Sequence, residues 1–363
     1  MTMPDVMISI AKPKVFGFLH GLAFITISLS VSWLALANST SSAQSSPLPK
    51  LMLPVICEVG KSCLVQKLVD HDSGSERRDY RCGKLTTDGH DGVDIRLRTL
   101  DDMRAGYRVV AAASGTVLRT RDGEPDISTR VRDVIARKEA GNGVVIDHGN
   151  GWQTQYSHML QGSVSVQPGQ KITAGTPLGL IGMSGNSEFP HLHFSIRHNG
   201  VTIDPFTGGH QGTACDPTAK GKGLWDPMAS TALQYAPTAI ISVGLSSSLP
   251  SRLAMTPSNE SQPPNSTEPM FLWADVVGAK PGDIQTFTIR GPDGHVIHSQ
   301  QLDVNDGGLS WFAFSGKRPP TSGWPKGEYS GLYVIRRDGV VKLGRAWCLE
   351  RLWRVLVAVS FKS

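Results

Sequence analysis

Along most of the chain, apolar positions recur at every second residue in short runs broken by glycine, which is the pattern of half-buried β-strands rather than of helices. Between residues 51 and 225 such runs fall at 93–98, 107–112, 115–120, 143–148, 152–157, 178–183 and 191–197. Their spacing predicts an antiparallel β domain. A polar stretch, 121–142, interrupts the series, and its second half, 129–140, is expected to form a short helix through Val131, Val134 and Ile135 inside a surface insertion. Residues 226–269, crowded with Ser, Pro and Asn from 246 onward, read as a linker. Beyond it, runs such as 285–290 and 329–336 alternate with the turns Asp293-Gly294 and Asp338-Gly339, which predicts a small C-terminal β-sandwich over 270–350. The expected fold class is therefore mainly β.

The N-terminus breaks this rhythm. Lys12 and Lys14 precede a charge-free, mostly apolar run, 15–37, that ends in Ala35-Leu36-Ala37 and a Ser-rich stretch. Residues 1–43 thus read as a signal peptide, with a membrane anchor as the alternative, and the Ser- and Pro-rich stretch that follows as a tether. The protein is expected to be exported, to a periplasmic or extracellular destination. Cys57, Cys63, Cys82, Cys215 and Cys348 suit an oxidising compartment. Cys57/Cys63 with Cys82/Cys215 is the preferred pairing, leaving Cys348 free, although four cysteines allow three connectivities.

Composition narrows the picture only a little. A length of 363 residues suggests about two domains, and 39 glycines with 23 prolines fit a loop-rich β protein. The formal charge of +5 favours an anionic surface, but without clustered Lys/Arg runs it argues against nucleic acid.

Candidate chemistry centres on His191-Leu192-His193. On a strand both imidazoles point to one face. Upstream, His90-Asp91-Gly92-Val93-Asp94 places a histidine and a carboxylate four residues apart, able to converge if extended, with Gly92 easing the backbone between them. Together with one histidine of the 191/193 pair they form two imidazoles and a carboxylate, the set of three protein ligands used by catalytic zinc sites. His158, closing the run Tyr156-Ser157-His158, is free to move protons or stabilise an oxyanion. No His-Glu-x-x-His helix is present.

His90-x-x-x-Asp94, Tyr156-x-His158 and His191-x-His193, in this order and with the intervening 143–152 and 182–186 stretches, resemble the LytM or lysostaphin-type zinc metallopeptidases that cut peptide bonds in bacterial peptidoglycan. The resemblance spans roughly residues 88–206. It implies that 51–225 is an antiparallel β peptidase domain, that His90, Asp94 and His193 bind Zn2+, and that His158 and His191 are catalytic histidines outside the ligand set. The substrate it implies is the peptidoglycan peptide cross-link. The insertion at 121–142 departs from the family and bears on groove shape. A competing reading is a non-catalytic wall-binding regulator of other murein hydrolases, since some members of the family lack ligands; here all five positions are filled. A biotinyl or lipoyl carrier hairpin at 166–182 is disfavoured because Met183-Ser184-Gly185 offers no lysine for attachment.

Overall fold

The computed structural model describes residues 50–133, 136–219, 223–251 and 267–348. The expected signal segment, Val134 and Ile135, most of the 246–269 stretch and the side chain of Cys348 lie outside them. Among the described residues no helix is long and apolar enough to cross a membrane.

The first β region contains β1 (Cys63–Lys67), β2 (Val93–Leu97), the short helix α1 (Leu100–Ala105), β3 (Arg108–Val110), β4 (Gly115–Arg121), β5 (Asn142–Gly149) and β6 (Trp152–Met159). It continues with β7 (Lys171–Ile172), β8 (Pro177–Leu180), β9 (His191–His198) and β10 (Val201–Thr202). The main sheet is antiparallel, in the order β1-β2-β9-β6-β5-β4-β7 with β10 on β9, while β3 and β8 pair separately. Alternation explains the pairing. Val93, Ile95 and Leu97 of β2, Leu192, Phe194 and Ile196 of β9 and Tyr156 of β6 all turn to one face and are buried in a single core. Each such side chain removed from water contributes about 1.5–3 kcal/mol.

The second β region follows α2 (Pro227–Ala232) and comprises β11 (Ala239–Ser246), β12 (Met270–Val277), β13 (Ile284–Arg290), β14 (Val296–Asp303), β15 (Trp311–Lys317), β16 (Ser330–Arg337) and β17 (Val340–Cys348). The sheets β11-β12-β15 and β14-β13-β16-β17 share a core that includes Leu245, Leu272, Phe287 and Tyr333. Part of the expected linker is therefore structured: α2 lies in it, and β11 pairs with β12 along its length. The described residues of the expected helix at 129–140 are turns and bends instead. Asp126 and Ser128 explain why, because they tie this segment to the backbone of Gln161, Met183 and Glu188 rather than leaving it to bond along a helix.

Contacts between the two β regions are both apolar and polar: Ile241 and Val277 of the second region are buried in the core of the first. Arg98 donates to the carbonyls of Gly60 and Lys61 on one side and of Ile240 and Ile241 on the other. Arg96 bonds Gln66, pairs with Asp275 at 3.3 Å and lies 4.0 Å over the Phe189 ring.

Cystines join Cys57 to Cys63 and Cys82 to Cys215. The second closes a long loop, with a sequence separation of 133 between its ends, and anchors the segment before His90 to the segment after β10. Nearby, His71 has a buried partner that its sequence context did not reveal. Its Nε2 lies 2.6 Å from Asp204 Oδ2 and its Nδ1 donates to the Thr213 carbonyl at 2.8 Å. Burial opposes a charge on the ring, but the bond and charge of Asp204 outweigh it and raise the His71 pKa. A raised folded-state pKa stabilises below the unfolded value and ceases to do so as pH climbs through the folded one. His71→Ala should therefore cost about 3 kcal/mol of stability at pH 6, because it leaves Asp204 buried and uncompensated. Chemical denaturation should show that gap narrowing as pH is raised.

Candidate metal centre

Register assembles the site. On β2 and β9 the cross-strand partners are Asp94 with His193 and Arg96 with His191, and on β6 Ser157 stands opposite His193. Directly opposed residues share a face. The polar face of the main sheet thus carries Asp94, His191 and His193, and loops cover it so that Asp94 is 1% exposed and His191 4%.

His90 enters from the loop before β2. Its Nε2 lies 3.1 Å from Asp94 Oδ1, and His193 Nδ1 lies 2.9 Å from the same oxygen. Ligand atoms of His90, Asp94 and His193 all fall within 4.8 Å of one another. Asp94 Oδ2 makes no hydrogen bond, although the Lys67 ammonium approaches it to 3.1 Å.

Strand alternation alone would send His158 to the wrong side. Tyr156, two residues before it, faces the core, whereas Ser157 faces His193. His158 adopts φ 61°, a left-handed conformation uncommon for a residue with a side chain, and this reversal turns its ring toward His191, with centroids 4.6 Å apart. The backbone holds the reversal in place, since His158 N–H donates to Ala140 O and its carbonyl accepts from Gly182 N–H. Such strain persists where surrounding structure over-determines it.

Each imidazole has one nitrogen occupied away from the centre. His90 Nδ1 donates to Leu68 O at 2.8 Å, His158 Nδ1 to Ser184 O at 2.8 Å and His191 Nδ1 to Phe189 O at 2.9 Å. For His193 the remote nitrogen is Nε2, which donates to Asp91 Oδ1 at 3.1 Å, while Arg197 holds the other Asp91 oxygen at 2.8 Å. These bonds leave Nε2 of His90, His158 and His191 and Nδ1 of His193 directed at the centre.

The electrostatics favour a cation there. Burial works against charge on Asp94, but His90, His191, Lys67 and His193 hold its pKa well below the usual range. Burial likewise opposes charge on His193, yet its bonds to Asp91 and Asp94 raise it to about 9. The opposite holds for the other two histidines. Burial pushes His191 down to about 4, and burial with neighbouring His191 and His193 pushes His158 well below its ordinary value. A divalent cation suits this donor set: two imidazole nitrogens and an ionised carboxylate, with one carboxylate oxygen lacking a hydrogen bond.

The structure brings together all five residues singled out in the sequence. The sequence reading passed over Asp91, Arg197 and Lys67. Arg197 was detectable, because it follows His191, His193 and Ser195 at a period of two on β9. Asp91 and Lys67 were not, since one precedes its strand and the other reaches Asp94 only through sheet pairing.

The centre lies in a cleft of about 580 Å3. Gln66, Lys67, Gln155 and Ser157 contribute to it from the sheet, Glu139 and Glu188 from flanking loops, and Leu309 and Ser310 from the second β region. Residues 88–205 match the model of peptidase family M23. The matched segment contains the whole His90-to-His193 constellation. Over 115 residues the chain is 33% identical to the peptidoglycan DD-endopeptidase ShyA of Vibrio cholerae, an alignment covering 32% of this chain and 22% of that protein. Over 107 residues it is 34% identical to the murein hydrolase activator EnvC of Escherichia coli, covering 29% and 23% respectively. The chain therefore spans about a fifth of the length of these curated relatives. Among solved structures, the catalytic domain of lysostaphin from Staphylococcus simulans is 25% identical, with 32% of this chain and 76% of that one covered at a TM-score of 0.24.

Gly92 has a tighter role than easing the backbone. A Cβ there would sit 2.6 Å from His193 Nε2 and 2.8 Å from the Phe194 carbonyl oxygen. Gly92→Ala should therefore displace His193 and cost about 1–3 kcal/mol through overpacking. A lowered denaturant midpoint would register the cost, and an unchanged midpoint would contradict this crowding.

Proposed function

We propose that the chain is a zinc metalloendopeptidase that hydrolyses peptide cross-links of bacterial peptidoglycan. The observation that carries this reading is the convergence of His90 Nε2, Asp94 and His193 Nδ1 beside two further neutral imidazoles in an open cleft. In this reading His90, Asp94 and His193 hold Zn2+, which when bound polarises the scissile carbonyl and makes water a stronger nucleophile near neutral pH. Residues 51–225 form the peptidase unit, and export through the apolar run 15–37 takes it to its substrate.

The remaining steps belong to side chains. His158 and His191 keep a proton on Nδ1, fixed by the Ser184 and Phe189 carbonyls, and present an unprotonated Nε2. Their lowered pKa values keep them neutral at pH 7, ready to accept a proton from the attacking water and pass it to the leaving amine. Once protonated, either ring also stabilises negative charge on the carbonyl oxygen. Asp91, itself held down to about 2 against burial by His193 and Arg197, positions His193.

The likeness to EnvC favours a second reading, in which the same cleft binds wall peptides and regulates other hydrolases without turnover. Two measurements separate them. His193→Ala should lose stoichiometric zinc by metal analysis and cease to release peptides from purified sacculi; release by the zinc-free variant would refute the assignment. Wild-type protein that holds zinc yet releases nothing would establish the regulator instead. Asp91→Ala, which removes the bond to the remote nitrogen together with the Arg197 ion pair, should weaken zinc affinity about 10- to 100-fold in a chelator competition.

A further inference from the structure

The cleft continues past His158. A second hollow of about 270 Å3 shares Ala140, Gln155 and Ser157 with it and runs on over β5 and β4 to Arg119 and Arg121. Register shows why these arginines face the groove. Gln155 on β6 stands opposite Val145 on β5, and Val145 opposite Arg119 on β4; Gly143 stands opposite Arg121. All of them lie on the face that carries Ser157 and His193.

An irregularity puts them there. Val117 faces the core with Ile146, so strict alternation would make Arg119 a core residue. Instead the register slips by one residue at Leu118, and both Arg119 and Arg121 emerge on the groove side. Slips of this kind re-aim side chains beside functional sites.

The charge along the groove is divided. Asp91, Asp94, Glu139 and Glu188 line the hollow around the candidate metal centre, whereas no carboxylate lines the second. Arg119 and Arg121 are exposed, and neither has an ion-pair partner among the described residues. The neighbouring Asp122 is already engaged, accepting from the backbone N–H groups of Gly123, Gly162 and Val164. Glu139, whose carboxyl is held down mainly by its own backbone N–H and that of Arg137, feels Arg121 only as a minor influence.

We infer that the strip over β6, β5 and β4 is a subsite for an anionic peptide segment, in which Arg119 and Arg121 receive a free carboxylate remote from the reacting bond. This deepens the peptidase reading and rests on it for the position of that bond. From β9 to β4 is a step of three strand spacings, or about 14 Å. An extended chain covers that in about four residues. A carboxylate at this distance meets two guanidinium groups suited to paired N–H···O bonds.

The test uses the zinc-loaded full chain and its Arg119→Ala/Arg121→Ala double variant. The probes are two synthetic cross-linked stem-peptide dimers made uncleavable by a ketomethylene group at the scissile bond, one with free carboxylates and one with them converted to carboxamides. Calorimetry should show the double variant binding the carboxylate dimer about fivefold more weakly, as expected of two exposed ion pairs, with the carboxamide dimer unaffected. Arg119→Lys/Arg121→Lys should recover part of the loss, and added salt should erode the wild-type preference. Equal weakening toward both dimers, or none toward either, would overturn the inference even if sacculi are still cut. Conversely, an arginine-dependent preference in a protein that never cuts sacculi would keep the subsite and remove the peptidase reading.

Discussion

A buried carboxylate must be compensated, and Asp94 is the point at which this protein meets that demand. Taking an ion of this size out of water costs several kcal/mol even after relaxation. Asp94 is 1% exposed on a central strand, yet stays ionised because His90, His193, His191 and Lys67 surround it. The strand order β1-β2-β9 brings Lys67 to one side and both strand histidines to the other. Move any of these strands by one residue and the carboxylate loses its partners, because each residue then changes face. The same demand makes the centre hospitable to a cation.

Backbone carbonyls then decide what each imidazole can do. Leu68, Ser184 and Phe189 offer no reactive side chain to the site, but their carbonyl oxygens fix which nitrogen of His90, His158 and His191 carries the proton. The loops that supply them are thus part of the chemistry. Their own positions depend on buried ties: Asp70 and Asp79 accept backbone N–H groups across 70–89, and the Cys82–Cys215 bond fastens that segment to the one that follows β10. The stability of these loops and the geometry of the centre are coupled here by shared hydrogen bonds.

The second β region is no remote appendage. Arg96 and Arg98 join it to the main sheet, Gln66 donates to Leu309 O, and Leu309 and Ser310 line the cleft. On the β1 flank the cleft is thus bounded by the second region, and on the β4 flank the adjoining hollow reaches Arg119 and Arg121.

The sequence by itself determined the strand-rich class and the shared face of His191 and His193, because these follow from local periodicity, and it made the five-residue constellation legible through the resemblance its motifs carry. It also contained Arg197, through the same period. Only the tertiary structure decided that His158 turns back from the core at φ 61°, that a register slip at Leu118 lifts Arg119 into the groove, and that Lys67 and Asp91 join the centre. The reason is physical. Alternation is a property of one strand, whereas reversals, slips and cross-strand partners are fixed by hydrogen bonds to residues distant in the chain, such as Ala140 for His158 and Val145 for Arg119.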